Sequence, residues 1–444
     1  MPASAAPLTD ALIAFAGTRG APLPESARQV MRLSLLDWCA VAIAGRDEPV
    51  ARIVRDRVED EGGKAEATVI GQNGKAPARA AALANGTASH ALDYDDTHFA
   101  HIGHPSVAII PAALAMAEKT GATGGEFLDA ALVGVEISCR IGTWLGRQHY
   151  QHGFHQTATS GTFGATMAAA RLAGLDPTAM AHAMGIASTR ASGLKSQFGT
   201  MGKPYHAGMA AANGVEAALL AKAGFISRPD GLECEQGFGE THAGENGDPA
   251  PILAGLGEVF WFETVQHKFH ACCHGLHAAI EALNALRFEH GFVVEDIASV
   301  RVTTHPRWLK VCNIASPATG LEAKFSYRLT AAMALAGCDT GALTTYTDAV
   351  CADLALIALR DRVQVETDPA LPDTEARVEV RLRSGAVLAA RHDLDQPIAP
   401  DIRLAKIRAK AASLLGPEKA EALWGVIADI DHQPLTSLTR LVAT

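Results

Sequence analysis

The stretch of this chain richest in groups that move protons or bind ions runs from Ser89 to Pro105. It holds His90, His98, His101 and His104 together with Asp93, Asp95 and Asp96. Imidazole changes charge near neutral pH and so suits proton removal or delivery beside a carbonyl or carboxylate. His90, Asp93 and Thr97 recur at i, i+3 and i+7, which puts them on one helix face if the preceding helix continues. Two plainer readings compete. Aspartates at a helix end, followed by Gly103 and Pro105, are ordinary turn and capping residues. Imidazole with carboxylate is also a metal-ligand set. No HExxH or comparable fixed-geometry motif accompanies the cluster, so no metal is expected.

Three further stretches carry polar chemistry. Gly146 to His155 includes His149, His152 and His155, and leads into Thr157, Thr159, Ser160 and Thr162. Those hydroxyls could cap a helix start, whose backbone N–H groups favour an anionic carboxylate. His149 and His152 by themselves read as surface residues. Lys195 to Gly208 presents Lys203 between Gly202 and Pro204 with His206 close by, ahead of a long apolar helix where an idle lysine is less expected. Gln266 to His277 offers Lys268, four histidines and the adjacent Cys272 and Cys273. Its spacing matches no structural zinc pattern. A reactive thiol is conceivable where cations and a helix start lie close, although adjacent cysteines entering a helix are more often packed.

Other chemistries find no support. Ser160-Gly161-Thr162 is not GxSxG, and neither GxxxxGK[ST] nor GxGxxG follows a strand, which weakens serine-hydrolase, P-loop and dinucleotide readings. The net charge is −10 with no basic stripe, so no nucleic-acid surface is expected. An acidic chain that serves an anion must supply its positive charge locally. The eight cysteines are scattered without CxxC units and read as reduced, mostly buried intracellular thiols. Met1 to Pro7 lacks the basic and apolar regions of a secretory signal. No uninterrupted run of eighteen apolar residues appears, so no membrane span is expected. A soluble cytoplasmic protein follows as the expectation.

The elements that must position these groups show two textures. With 444 residues, two or three domains are expected. Few aromatics and much Ala and Gly suit closely packed helices. From Leu8 to about Glu263 the helical period dominates. Candidate helices cover Ser26–Ala44 (closed by Gly45), Ala78–Leu92, Val107–Glu118, Gly125–Leu145, Gly161–Leu175, Pro177–Ala187 and Met209–Ala223. After Gln266 strand-like alternation enters at Ser299–Thr304, Val363–Thr367 and Ala376–Leu382. A turn at Ser384-Gly385 leads to Ala386–His392, and helices are expected at His277–Glu289 and Ala323–Ala336. Helical periodicity returns after Pro400, to Leu415 and then from Pro417 to Val426. The expected fold is mainly α: a large helical domain from residues 1–264 and 394–444, with an inserted α+β domain at 265–393.

Taken together, the chain resembles the MmgE/PrpD family of 2-methylcitrate dehydratases, cis-aconitate decarboxylases and iminodisuccinate epimerases. The resemblance rests on five ordered pieces: Asp93-Tyr94-Asp95-Asp96-Thr97 with His104-Pro105; Gly153-Phe154-His155 with its Thr/Gly run; Gly202 to Gly208; Lys268 to His277; and Glu322 to Ser326. It implies a metal-free, cofactor-free, typically dimeric enzyme with its site between the two domains. Asp93, His104, His155, Lys203 and Lys268 are its implied catalytic residues, with Thr97 and His277 binding substrate. Two lysines can hold carboxylates as point charges, and each depresses the other's pKa, so that one could act as acid or base. Asp93 would orient an imidazole or bind a substrate hydroxyl, and His104 and His155 are expected to face each other across the pocket. Two departures stand out. Cys273 aligns where animal decarboxylases carry a histidine, and Leu329 where many members place a tyrosine.

The leading expectation is therefore dehydration of a 2-methylcitrate-like acid. Epimerisation of an iminodisuccinate-like acid or cis-aconitate-type decarboxylation are alternatives within the family. Outside it, a metal-dependent hydrolase or dioxygenase could use the Asp93–His104 cluster.

Overall fold

The computed structural model of the protein describes residues 8–20 and 22–443; the stretch Met1 to Pro7, read above for a signal, lies outside them. Helices dominate the first two-thirds of the chain. In order they are α1 (Leu8–Gly17), α2 (Glu25–Gly45), α3 (Pro49–Glu61), a short hairpin of β1 (Ala67–Thr68) and β2 (Lys75–Ala76), α4 (Ala78–His90), α5 (Ser106–Thr120), α6 (Gly124–Gln151), α7 (Gln156–Ala173), α8 (Pro177–Arg190), α9 (Gly202–Lys222), α10 (Phe238–Ala243) and α11 (Ala250–Leu253). None of the helices among the described residues is long and apolar enough to cross a membrane.

The alanine and glycine content does packing work here. Gly86 of α4 and Gly208 of α9 meet backbone to backbone: a Cβ on Gly86 would stand 2.8 Å from the Cα of Gly208, and one on Gly208 would collide with Leu83 and Thr87. Only glycine permits that approach. It brings the end of α4, at His90, beside the start of α9, at Lys203. Helices α5 and α7 are buried along almost their whole length, so the apolar core forms a rigid floor for the loops that follow α4 and precede α7 and α9.

The chain divides into two compact units. One takes residues up to His267 together with those from Leu415 onward, and the other runs from Lys268 to Leu414. The second contains α12 (His277–His290), β3 (Ile297–Thr304), α13 (Gly320–Ala323), α14 (Tyr327–Ala336), α15 (Asp348–Ala352), α16 (Leu354–Arg360), β4 (Val363–Thr367), β5 (Glu375–Leu382), β6 (Val387–Asp393) and most of α17 (Pro400–Leu415); α18 (Pro417–Ala428) and α19 (Leu435–Ala443) belong to the first. The four strands form one sheet in the order β4-β3-β5-β6, parallel at β3/β4 and antiparallel elsewhere. Its alternating burial in β5 matches a half-buried strand, with Ala376, Val378 and Val380 inward.

The fold is mainly α, as expected, but several boundaries differ. The return to the helical unit falls at Leu415 rather than at 394, because α17 clusters with the second unit, where Lys406 pairs with Glu281 of α12 at 2.5 Å. The helix expected over Ala323–Ala336 is interrupted at Lys324–Ser326. There the Ser326 hydroxyl accepts from the Leu329 N–H at 3.2 Å and starts α14 afresh. Helix α4 stops at His90 instead of reaching Leu92. Asp93 adopts a left-handed backbone (φ 49°), which a short polar side chain tolerates. The single helix face expected for His90, Asp93 and Thr97 therefore does not exist.

Candidate active site

The turn after α4 replaces that face with a denser arrangement. Asp95, 1% exposed, lies between two imidazoles: His90 Nδ1 is 2.8 Å from Asp95 Oδ1, and His104 Nδ1 is 2.8 Å from Asp95 Oδ2. Desolvation by itself would raise the Asp95 carboxyl. The His90 and His104 rings outweigh it and hold the group well below the usual carboxylate range. A carboxylate only accepts hydrogen bonds, so both rings donate through Nδ1–H and each presents a bare Nε2 lone pair when neutral. Burial, joined by His90 and Lys203, depresses His104 to about 4 despite its Asp95 partner, so the ring is neutral at physiological pH.

His104 Nε2 points toward the open side of the group. It lies 3.6 Å from Asp93 Oδ1, and that same oxygen is 2.7 Å from Lys203 Nζ. The Asp93 side chain is 45% exposed, against 1% for Asp95. One carboxylate is thus reachable by a ligand and the other sealed. His90 neighbours both other imidazoles, its ring centroid 4.6 Å from His104 and 6.0 Å from His155. His155 Nδ1 shares a proton with His206 Nδ1 at 3.1 Å, and Phe198 meets the His155 ring edge-on at 4.9 Å. Burial, with the charges of His90 and Lys203, pushes His155 well below the usual imidazole value.

Local sequence explains these placements. His155 precedes α7, and its backbone N–H donates to Gly193 O at 2.9 Å. Gly103 leaves no room for a side chain against His101 and the Thr157 N–H, so the chain turns tightly into His104. The His104 N–H then donates to the Thr157 hydroxyl at 3.0 Å. Thr97 is held by paired backbone hydrogen bonds with Gln266, at 2.8 and 2.7 Å.

Some expected roles fall differently. Thr159, Ser160 and Thr162 do not cap α7; their hydroxyls donate back to the carbonyls of His155, Gln156 and Ala158 within the helix. Lys203 is already inside α9 rather than in the turn before it, and His206, three residues on, shares its face. His98 and His101 are struts. His98 Nε2–H donates to Trp261 O at 2.9 Å, and His101 Nε2 pairs with Ser160 Oγ at 2.7 Å. His149 is wholly buried rather than on the surface, stacked at 4.6 Å on Phe154. Lys268 and His277 belong to the second unit. Lys268 is 3% exposed, and His277 opens α12 between the rings of His270 and His274. Leu329 is buried and brings no polar group.

Asp95 and Phe198 were not singled out by spacing, and His90 was picked out only for a helix face that does not form. Nothing in Asp93-Tyr94-Asp95-Asp96 says which buried acid meets the imidazoles: Asp95 bridges His90 and His104, while Asp96 pairs with Ser106.

His90, Asp93, Asp95 and His104 could each point one ligand atom within 4.8 Å of the others, the geometry of a possible metal cluster. Both Nδ1 atoms are already committed to Asp95, and the Lys203 ammonium already neutralises Asp93. A metal ion would have to displace that ammonium, so the group is better arranged for proton transfer beside an anion than for a metal.

Residues 14–249 match the MmgE/PrpD N-terminal domain, and residues 270–432 match the MmgE/PrpD C-terminal domain. The chain belongs to the MmgE/PrpD family. It is similar to the cis-aconitate decarboxylase of Homo sapiens, with 26% identity over 97% of this chain and 93% of that enzyme. It is also similar to the cis-aconitate decarboxylase-like protein oryM of Aspergillus oryzae, with 30% identity over 64% of this chain and 62% of that protein. Similarity to the cis-aconitate decarboxylase of Aspergillus terreus reaches 35% identity but spans 49% of this chain and 47% of that enzyme. The alignments thus cover less than two-thirds of both fungal relatives.

Proposed function

We propose that the protein is a lyase acting on a small polycarboxylate, with His104 as the proton-transfer group and Lys203 meeting a substrate carboxylate. The observation that carries this reading is the Asp95 bridge. It fixes the tautomer of His104 and aims Nε2 at the exposed Asp93–Lys203 pair. An anionic substrate can replace Asp93 as the partner of the Lys203 ammonium and so arrive beside Nε2. His155 is the second proton-transfer candidate, and Thr97 a candidate for binding substrate. Lys268 and His277, carried by the second unit, remain candidates for substrate binding and are read independently from their own variants.

Decarboxylation of a cis-aconitate-like acid is the reaction we put first. The activities named for the relatives support it, whereas the 2-methylcitrate-like dehydration expected from sequence has no specific support among them. In such a decarboxylation the allylic carboxylate leaves as carbon dioxide. Its electron pair shifts the double bond, and the former vinylic carbon takes one proton. His104 is the group placed to deliver that proton once the substrate's negative charge has raised its pKa. We further propose a cytoplasmic homodimer; light scattering should give a mass near twice 46.4 kDa.

Proton NMR of the purified protein in heavy water, with cis-aconitate, 2-methylcitrate, citrate and iminodisuccinate, tests the reading. Deuterated decarboxylation product from cis-aconitate is the expected result. Turnover of 2-methylcitrate alone would move the assignment to dehydration, and deuterium exchange in iminodisuccinate without net loss to epimerisation.

A further inference from the structure

The second unit contains a pair of thiols that the reaction above does not use. Cys312 Sγ donates to Cys273 Sγ at 3.0 Å, and neither cysteine is in a disulfide. Their two segments are braced together. The Cys273 N–H donates to Lys324 O at 3.0 Å, the Tyr327 N–H to Cys312 O at 3.2 Å, and the Tyr327 hydroxyl to Gly275 O at 2.6 Å. Gly275 packs so closely on the Trp308 ring that a Cβ there would collide with it. These contacts hold the sulfurs about 1 Å beyond the ~2.05 Å of a disulfide bond.

We propose that Cys273 and Cys312 form a reversible redox pair that hydrogen peroxide converts to a disulfide in the folded protein. The two cysteines differ in a way that sets the order of events. Cys273 is partly exposed and Cys312 is fully buried, so peroxide meets Cys273 first. Cys273 accepts the hydrogen bond and is therefore the sulfur helped toward thiolate. Burial outweighs every other influence on Cys272, and the hydrogen bond to Cys273 with burial keeps Cys312 a thiol; Lys268 nevertheless lies near both sulfurs and Lys324 near Cys272, and nearby cations favour thiolate. The Cys273 thiolate attacks peroxide, breaking the O–O bond to give a sulfenic acid and releasing hydroxide. The Cys312 sulfur then displaces the sulfenic oxygen, forming the S–S bond as its proton leaves with that oxygen as water. In sum, two thiols and one peroxide give one disulfide and two waters. Cys272 is not the partner. Burial pushes it up to about 12, which keeps it a thiol, and adjacent cysteines rarely pair.

The test uses the full-length native protein exposed to a few equivalents of hydrogen peroxide, then denatured, alkylated and digested without reductant. The expected result is the loss of two of the eight titratable thiols, one cross-linked peptide pair carrying Cys273 and Cys312, and full recovery with dithiothreitol. Cys272→Ser should form the same link. Cys312→Ser should leave Cys273 as a sulfenic acid that dimedone traps. The inference is overturned if all eight thiols survive, if wild-type Cys273 proceeds to sulfinic acid without a link, or if Cys272→Ser abolishes the link. None of these outcomes depends on the substrate, so the proposed lyase reading and this pair stand or fall separately.

Discussion

Asp95 and Asp96 are neighbours in sequence and equally buried at 1% exposure, but their carboxyls are shifted in opposite directions. Asp95 faces two imidazole donors and stays ionised. Asp96 faces the first turn of α5, with Ser106 Oγ 2.5 Å from Oδ2 and the Ser106 N–H 3.3 Å from Oδ1. Burial, with Asp37 and Asp95 adding like charge, pushes Asp96 up to about 7. Two adjacent carboxyls thus divide the work. One is a fixed anion that orients proton-transfer rings, and the other is a strut that keeps its proton up to about pH 7 and fastens α5 to the turn. Burial is shared, so the partners decide which is which.

The largest effect should follow from removing the fixed anion. An amide at position 95 has one acceptor oxygen and one donor nitrogen, so it cannot accept from both Nδ1 atoms. One ring then loses both the acceptor that orients it and the negative charge that stabilises its imidazolium, the form that delivers a proton. Asp95→Asn should lower kcat by roughly 10²–10⁴-fold, the range for losing a general acid–base group, with the fold retained by circular dichroism. His104→Gln belongs in the same range. If Asp95→Asn keeps nearly full turnover while His104→Gln does not, the bridge is only structural. Near-wild-type rates in both His104→Gln and His155→Gln would move the chemistry to Lys203 or Lys268.

The strut yields a stability effect of opposite sign. Folded Asp96 keeps its proton to about 7, against 3.8 for the ordinary group. Between those values the folded state binds more protons, so the stability from this group is fully present below about 3.8 and is lost as pH rises through about 7. Asp96→Asn copies the protonated form and avoids that loss. Its stability relative to wild type should climb by on the order of a few kcal/mol between pH 4 and 8, at about 1.4 kcal/mol per pKa unit. Urea midpoints at both ends measure it. A pH-independent difference would mean that Asp96 is charged in the folded protein, and the contrast with Asp95 would fail.

How much of this was legible in the sequence depends on the range of the forces involved. Periodicity located most of the long helices, though not α3 and not the starts of α7 and α9, and all four strands of the larger sheet, because one buried face repeats every 3.6 or 2 residues. His104, His155 and Lys203 were legible because imidazole and ammonium beside glycine turns are unusual. Long-range pairings were not. His149 looked like a surface residue until Phe154 and Thr159 enclosed it. The hydroxyls after His155 looked like caps, yet their donors turned back into their own helix. Asp93 breaks the helix with a left-handed backbone angle, and Asp95 rather than Asp96 reaches the imidazoles; no residue pattern specifies either. The α17 boundary was missed for a similar reason: its pairing with Glu281 reaches across 125 residues.

Lys203 supplies a smaller test of the open side of the group. Lys203→Ala removes the ammonium that holds Asp93 and is proposed to receive a substrate carboxylate. A rise in KM with kcat retained would show that the charge binds the ground state, and an equal fall in kcat and kcat/KM that it acts in the transition state. Unchanged kinetics would remove Lys203 from the site.

The smallest signal is a fraction of a proton, and it separates the two carboxyls most directly. In the free protein burial holds His104 at about 4, with the Lys203 charge adding to the depression. A polycarboxylate bound beside Nε2 neutralises Lys203 and adds negative charge, and both changes favour imidazolium. The pKa of His104 must therefore rise on binding, so the complex takes up protons at pH values between about 4 and the new value. At pH 6, calorimetry of a non-reacting tricarboxylate in two buffers of different ionisation enthalpy should show an uptake below one proton per site. The uptake should vanish in His104→Gln and persist in Asp96→Asn, whose carboxyl faces away from the ligand toward α5. If the wild-type protein takes up no proton, His104 stays neutral in the complex and the delivering acid is another group. Uptake lost in Asp96→Asn would instead make the strut, rather than the bridged imidazole, the group that answers the substrate's charge.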